Sequence, residues 1–166
     1  CIGGEVAKEY FKDRAEAVRT IDMFYELFGQ NYYLELQPNN FDEQVEYNKW
    51  LVDIAIAKNI KTVVTCDAHY LNKEDYESHD TLICMQVNKK KDDKDRFKFR
   101  TKDSYLKTDE EIYNDLNYLP KDIVKICINN TKLIADSCNV SIEYQDLMPS
   151  LPGISDPNLE LARLCT

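Results

Sequence analysis

The chain has 166 residues, 43% of them hydrophobic and 11% aromatic, and a formal net charge of −9. That composition supplies the apolar surface for one domain with a core and excludes a disordered tail. The acidic balance excludes a general electrostatic pull toward nucleic acid, and no apolar run reaches the roughly 18 residues needed to span a bilayer.

With no signal peptide visible, the expected compartment is the cytoplasm. The chain opens on Cys1 and not on Met, so sequence upstream of it is expected. Its six cysteines form no CxxC pair, and four lie inside apolar runs, the pattern of reduced, core-forming thiols.

From Glu5 to Phe28, Ala7, Phe11, Val18, Ile21, Phe24, Tyr25 and Phe28 recur at steps of three and four, which predicts an amphipathic helix stopped by Gly29. Tyr32 to Gln37 alternates Leu34 and Leu36 with Glu35 and Gln37, a strand pattern closed by Pro38. Asp42 suits the cap of a second helix, with Tyr47, Trp50, Leu51, Ile54 and Ala55 on one face. Thr62 to Cys66 is a short β-branched run and reads as a buried strand. Helix, strand, helix, strand at these spacings predicts an α/β fold with a parallel sheet.

The second half differs in texture. Residues 89–102 are charge-dense and aperiodic, with Lys89, Lys90 and Lys91 followed at once by Asp92 and Asp93. That cluster suits a solvated loop or a patch that contacts a polynucleotide backbone in a larger assembly. Thr108 with Glu111 forms a capping-box signature for a helix that stops before Pro120. Another helix, about Lys121 to Cys138, puts Val124, Cys127, Thr131, Ile134, Ala135 and Cys138 on one side. Met148 to Asp156 reads as an extended linker, and Asn158 to Cys165 as the start of a further helix.

Asp67-Ala68-His69, directly after the second strand, is the sharpest chemical signal. In extended chain, residues two apart point the same way, and carboxylate with imidazole suits Zn, Mn or Fe. Ligands of parallel α/β sheets gather at the carboxyl ends of strands. The short motif alone fits a structural polar turn as well as a metal or acid–base role. His79, the only other histidine, suits hydrogen-bonded packing or ligation, and Glu35 suits a cross-strand pair or a place in a neighbouring site.

Cys1-Ile2-Gly3-Gly4-Glu5, Tyr33-Leu34-Glu35-Leu36-Gln37, and Val63 through Leu71 with Glu74-Asp75, His79 and Leu82-Ile83-Cys84 form one ordered set of segments. Tyr105-Leu106-Lys107, Glu110-Glu111-Ile112, Asn130-Thr131, Ala135 to Val140 and Met148 to Pro152 continue it over nearly the whole chain. Together these segments resemble the PHP domain of the C-family replicative polymerases in its alpha-subunit form.

The resemblance implies the C-terminal portion of a distorted (β/α)7 PHP barrel in residues 1–88. A helical extension in 89–147 and a linker toward a polymerase palm in 148–166 would follow. It implies Cys1, Asp67 and His69 as ligands of a multi-metal cluster of Zn, Mn or Fe, with Glu35 and His79 as weaker candidates nearby. Cys66 stands where the family often has Asn, a change beside the site but not in a ligand.

The implied activity is that of a DNA-directed DNA polymerase, served by Mg in its palm, with a PHP part able to hydrolyse phosphodiesters as a 3′–5′ exonuclease. DNA, deoxynucleotides and other replisome subunits are the implied partners, with no membrane. Two alternatives stand beside this: a non-catalytic scaffold with a vestigial metal site, and a free-standing PHP phosphoesterase. The isolated stretch, lacking most of the ligands and the palm carboxylates, is expected to be inactive, to bind metal weakly and to self-associate through an open sheet edge.

Overall fold

A computed structural model of the protein describes residues 1–144 and 152–165. At its centre a β-strand, β1 (Tyr33–Leu36), leads through a helix, α3 (Asp42–Lys58), to a second strand, β2 (Lys61–Val64). The strands pair in parallel, with Tyr33 opposite Lys61 and Leu36 opposite Val64. The α/β expectation and the parallel sheet therefore hold, and among the described residues the sheet has two strands.

Alternation along β1 buries Leu34 and Leu36, whereas Thr62, Val63 and Val64 of β2 are all buried. Helices cover the sheet. The expected first helix is broken into α1 (Glu5–Tyr10) and α2 (Arg14–Phe28), because Asp13 leaves the helical conformation and its side chain accepts from the Ala15 N–H at 2.8 Å. That cap lets the chain fold back on itself, so α2 buries Ala17, Thr20 and Ile21 while Phe11 and Phe28 stay exposed. Gly29 ends α2 at φ 54°, a conformation that favours glycine.

A polar knot ties α3 to the end of β1. Asn48, fully buried, donates to the Gln37 carbonyl at 2.8 Å and to the Tyr118 hydroxyl at 2.7 Å, and accepts from Gln44 at 2.8 Å. Each buried amide atom so satisfied escapes a desolvation cost of about 1–3 kcal/mol.

Helix α4 (Tyr76–Gln86) carries His79 and the Leu82–Cys84 run. Helix α5 (Asp109–Asp115) opens on the expected capping box of Thr108 and Glu111. Helix α6 (Lys121–Ser137) lies against β2, where Cys127 meets the Thr62 hydroxyl and Asn130 donates to the Thr62 carbonyl at 2.7 Å. Its buried face holds Val124, Cys127 and Asn130; the expected Thr131, Ala135 and Cys138 are exposed. Helix α7 (Pro157–Leu164) forms where a last helix was expected. Residues 148–151 of the predicted linker lie outside the described residues. All six cysteines are free thiols.

Candidate metal site at the carboxyl end of the sheet

Strand β2 ends at Val64, although the Thr65 N–H still donates to the Leu36 carbonyl at 3.1 Å. Beyond it the backbone turns. Asp67 adopts φ +47°, the left-handed region that Asp tolerates better than most side chains. Asp67 and His69 do come together, with Nε2 of His69 3.5 Å from Oδ1 of Asp67 and both side chains half exposed. The route differs from the one expected: a left-handed turn, not strand alternation, faces the two groups toward each other.

The segment after His69 is held by chain distant in sequence. The His69 N–H donates to the Ser104 carbonyl at 2.8 Å, Tyr70 and Tyr105 form a parallel bridge, and the Leu106 N–H donates to the Leu71 carbonyl at 3.3 Å. The Tyr70 hydroxyl donates to the Lys102 carbonyl at 2.8 Å. The imidazole of His69 and the ring of Phe99 meet edge to face, with centroids 4.6 Å apart, and His69 lies 5.6 Å from the ring of His79. His79 is thus drawn to the pair, and its buried Nδ1 has no hydrogen-bond partner among the described residues.

Glu35 sits at the same end of the sheet in a separate group. Its carboxylate accepts from the Thr65 hydroxyl at 2.5 Å and lies 2.5 Å from the Cys1 amino nitrogen. Burial pushes the Glu35 carboxyl up. The Cys1 amino group, the Thr65 hydroxyl and Gln37 outweigh this, holding it below the usual carboxylate range. A peptide N–H at that nitrogen would keep the hydrogen bond without the charge. The Cys1 sulfur is exposed and accepts from the Gly3 N–H at 3.3 Å.

Among the described residues, no three His, Cys, Asp or Glu side chains converge to hold one ion. Asp67 and His69 fit one part of a transition-metal centre, an oxygen and a nitrogen donor side by side, where such centres use about four ligands. Sequence reasoning missed Phe99 and Ser104, which hold His69. They lie across an aperiodic stretch in which no spacing signals contact with the motif.

A parallel sheet with a carboxylate–imidazole pair at its carboxyl end defines an α/β unit of the kind that places ligand sites at strand ends. Comparison with known proteins narrows this class. The chain is 31% identical over 162 residues to a DNA polymerase III subunit alpha of Borreliella burgdorferi, covering 97% of this chain and 13% of that protein. It is 35% identical over 159 residues to the same subunit of Deinococcus radiodurans, covering 92% of this chain and 12% of the relative.

A DNA-directed DNA polymerase of Bacillus phage SPbeta is 32% identical over 141 residues, 84% of this chain and 10% of the relative. No family model matches the chain. By sequence the chain corresponds to a region of the bacterial-type DNA polymerase III alpha subunits. It spans about an eighth of the length of the curated relatives it matches.

Proposed function

We propose that this chain is a part of a replicative DNA-directed DNA polymerase: residues 1–88 the C-terminal portion of a PHP barrel, 89–147 a helical extension and 148–166 a linker toward the palm. The observation that carries the site reading is the Asp67–His69 pair, 3.5 Å apart at the carboxyl end of a parallel sheet. In the intact polymerase, Asp67 and His69 would hold a Zn, Mn or Fe ion with Cys1 as a third ligand and the remaining donors from other parts of the chain. Such a metal supplies an activated water and Lewis-acid stabilisation of a departing phosphodiester oxygen.

Asp67, as a carboxylate, and His69, presenting Nε2, act as ligands in this reading and not as the general base. Glu35 orients the Cys1 segment through the Cys1 nitrogen, and Thr65 fixes Glu35. The substrates are DNA and deoxynucleotides, with Mg serving the palm, and the setting is the replisome in the cytoplasm.

Metal analysis of the full-length polypeptide tests the site: Asp67→Asn and His69→Ala should each lower bound Zn, Mn or Fe and abolish 3′–5′ hydrolysis while primer extension persists. Wild-type metal content in both variants would refute it. The scaffold reading has one observation in its favour, that three donors do not converge among the described residues. Full-length protein purified without transition metal, and with intact polymerase activity, would support that reading instead.

A further inference from the structure

The stretch between α4 and α5 has no helix of its own, yet it runs back across the Asp67–His69 turn. One buried ion pair directs it there. Arg96 donates through both terminal nitrogens to Asp80 of α4, each at 2.7 Å, and the two side chains are 3% and 8% exposed. The same guanidinium donates to the carbonyls of Lys91 at 3.1 Å and Phe97 at 3.2 Å. It therefore fixes the backbone on both sides of itself.

Phe97 packs edge-on to Phe99 with centroids 5.5 Å apart, and Phe97 is 60% exposed. Phe99 in turn meets both histidines, 4.6 Å from His69 and 5.1 Å from His79. Tyr70 also packs against His79, with centroids 5.1 Å apart. Downstream of Phe99, the Ser104 carbonyl takes up the His69 backbone N–H, so backbone and side chain of His69 are held by one strap.

We propose that Phe99 and Arg96 are positioning residues for the His69 imidazole: Phe99 packs against it edge to face, and Arg96, pinned to Asp80, holds Phe99 in place. The inference rests on the reading of Asp67 and His69 as metal ligands, and it names the side chains that set the direction of one donor. Ligand direction matters because a half-exposed imidazole that rotates freely loses rotamer entropy on binding, and groups that orient a metal-bound histidine govern affinity about 10–100-fold. The packing contact here is apolar, so the lower end of that range applies.

The test uses the 166-residue chain with 13C-labelled histidine. Its two histidines give two sets of ring signals, which His79→Gln assigns. Site-specific Mn2+ binding is read from paramagnetic broadening of the His69 ring, a method that registers weak sites, and ring mobility from 13C relaxation without metal. Phe99→Leu keeps apolar volume and removes the ring; it should mobilise the His69 ring and weaken Mn2+ at His69 about tenfold. Arg96→Lys, which loses the two-pronged contact with Asp80, should act in the same direction. Phe99→Tyr should restore both readouts to within about twofold of wild type.

A merely structural role would lower the melting temperature without these changes at His69. If wild-type His69 binds Mn2+ and Phe99→Leu and Arg96→Lys bind it equally well, the positioning role is overturned and the metal reading stands. If wild-type His69 shows no broadening that Asp67→Asn removes, the two donors of this chain do not hold the ion without the rest of the ligand set. The relaxation data then decide the clamp: equal ring mobility in wild type and Phe99→Leu would overturn it.

Discussion

Lys107 offers a quantitative test of how the helical second half is fastened to the sheet. Its side chain is fully buried, and its ammonium lies 2.5 Å from both the Pro38 carbonyl and the Asp115 carboxylate. Replacing it by Met keeps most of the volume and deletes the charge. The Pro38 carbonyl, at the end of β1, is left without that donor in a residue that is itself fully buried, which costs about 1–3 kcal/mol.

Asp115 loses its cation, but it is 24% exposed and still accepts from Asn40 at 3.1 Å, so its share falls well short of the 3–5 kcal/mol typical when a fully buried pair is broken. Against both stands the relief of no longer desolvating an ammonium. The net expected loss is about 2–3 kcal/mol.

Trp50, the one tryptophan, packs 4.7 Å from Tyr10 and 5.9 Å from Tyr47, so its emission reports unfolding of the core. The urea midpoint of Lys107→Met should fall by about 1 M. Adding Asp115→Leu should cost less than the sum of the single losses, by about 1 kcal/mol. An unchanged midpoint, or strict additivity, would show that the buried lysine is not what fastens this joint.

Acid should loosen the second half first. Arg96 holds the Asp80 carboxyl below its usual range, and the Thr108 backbone N–H with the Tyr105 hydroxyl does the same for Glu111. Because both folded values are depressed, their stabilisation is complete above the ordinary carboxylate range and is lost as pH falls through the lowered values. Melting temperature by circular dichroism should therefore drop below about pH 4, and Asp80→Asn should remove part of that dependence; a main loss centred near neutral pH would contradict this.

Leu116→Ala, at a fully buried position, should cost about 2–5 kcal/mol, whereas Leu133→Ala on the exposed side of α6 should stay within about 0.5 kcal/mol; equal effects in urea unfolding would refute the assigned faces of the core. Among the described residues β1 pairs with β2 alone, so its second edge presents unpaired backbone groups. Light scattering at tens of micromolar should detect self-association, and a monodisperse monomer would count against it.

Much of the fold was legible because its determinants are local. The alternation in Tyr33–Leu36, the β-branched run of β2 and the Thr108–Glu111 capping box are read from adjacent residues, and each appears where expected. The break at Asp13 was also written in the sequence, as an N-cap residue before Arg14, but the longer apolar period across Glu5–Phe28 masked it. On α6 the period was right and the face was shifted. Asn130 is buried because the Thr62 carbonyl, 68 positions away, needs a donor, and hydrophobicity cannot rank an amide that a distant strand satisfies.

The candidate site divides along the same line. Asp67 and His69 were visible as residue types at a strand end, because strand ends and metal donors both have short signatures. What brings them together was not visible. The left-handed turn at Asp67 has no glycine to announce it, and the hold on His69 comes from Phe99 and Ser104, beyond α4 and part of the loop that follows it. Arg96 and Asp80 look like ordinary members of a charged surface until α4 turns Asp80 inward. Their pairing, 16 positions apart, then decides where an aperiodic loop must lie. In this protein the sequence motif names the chemical groups, a left-handed turn aims Asp67, and a loop with no periodicity holds His69.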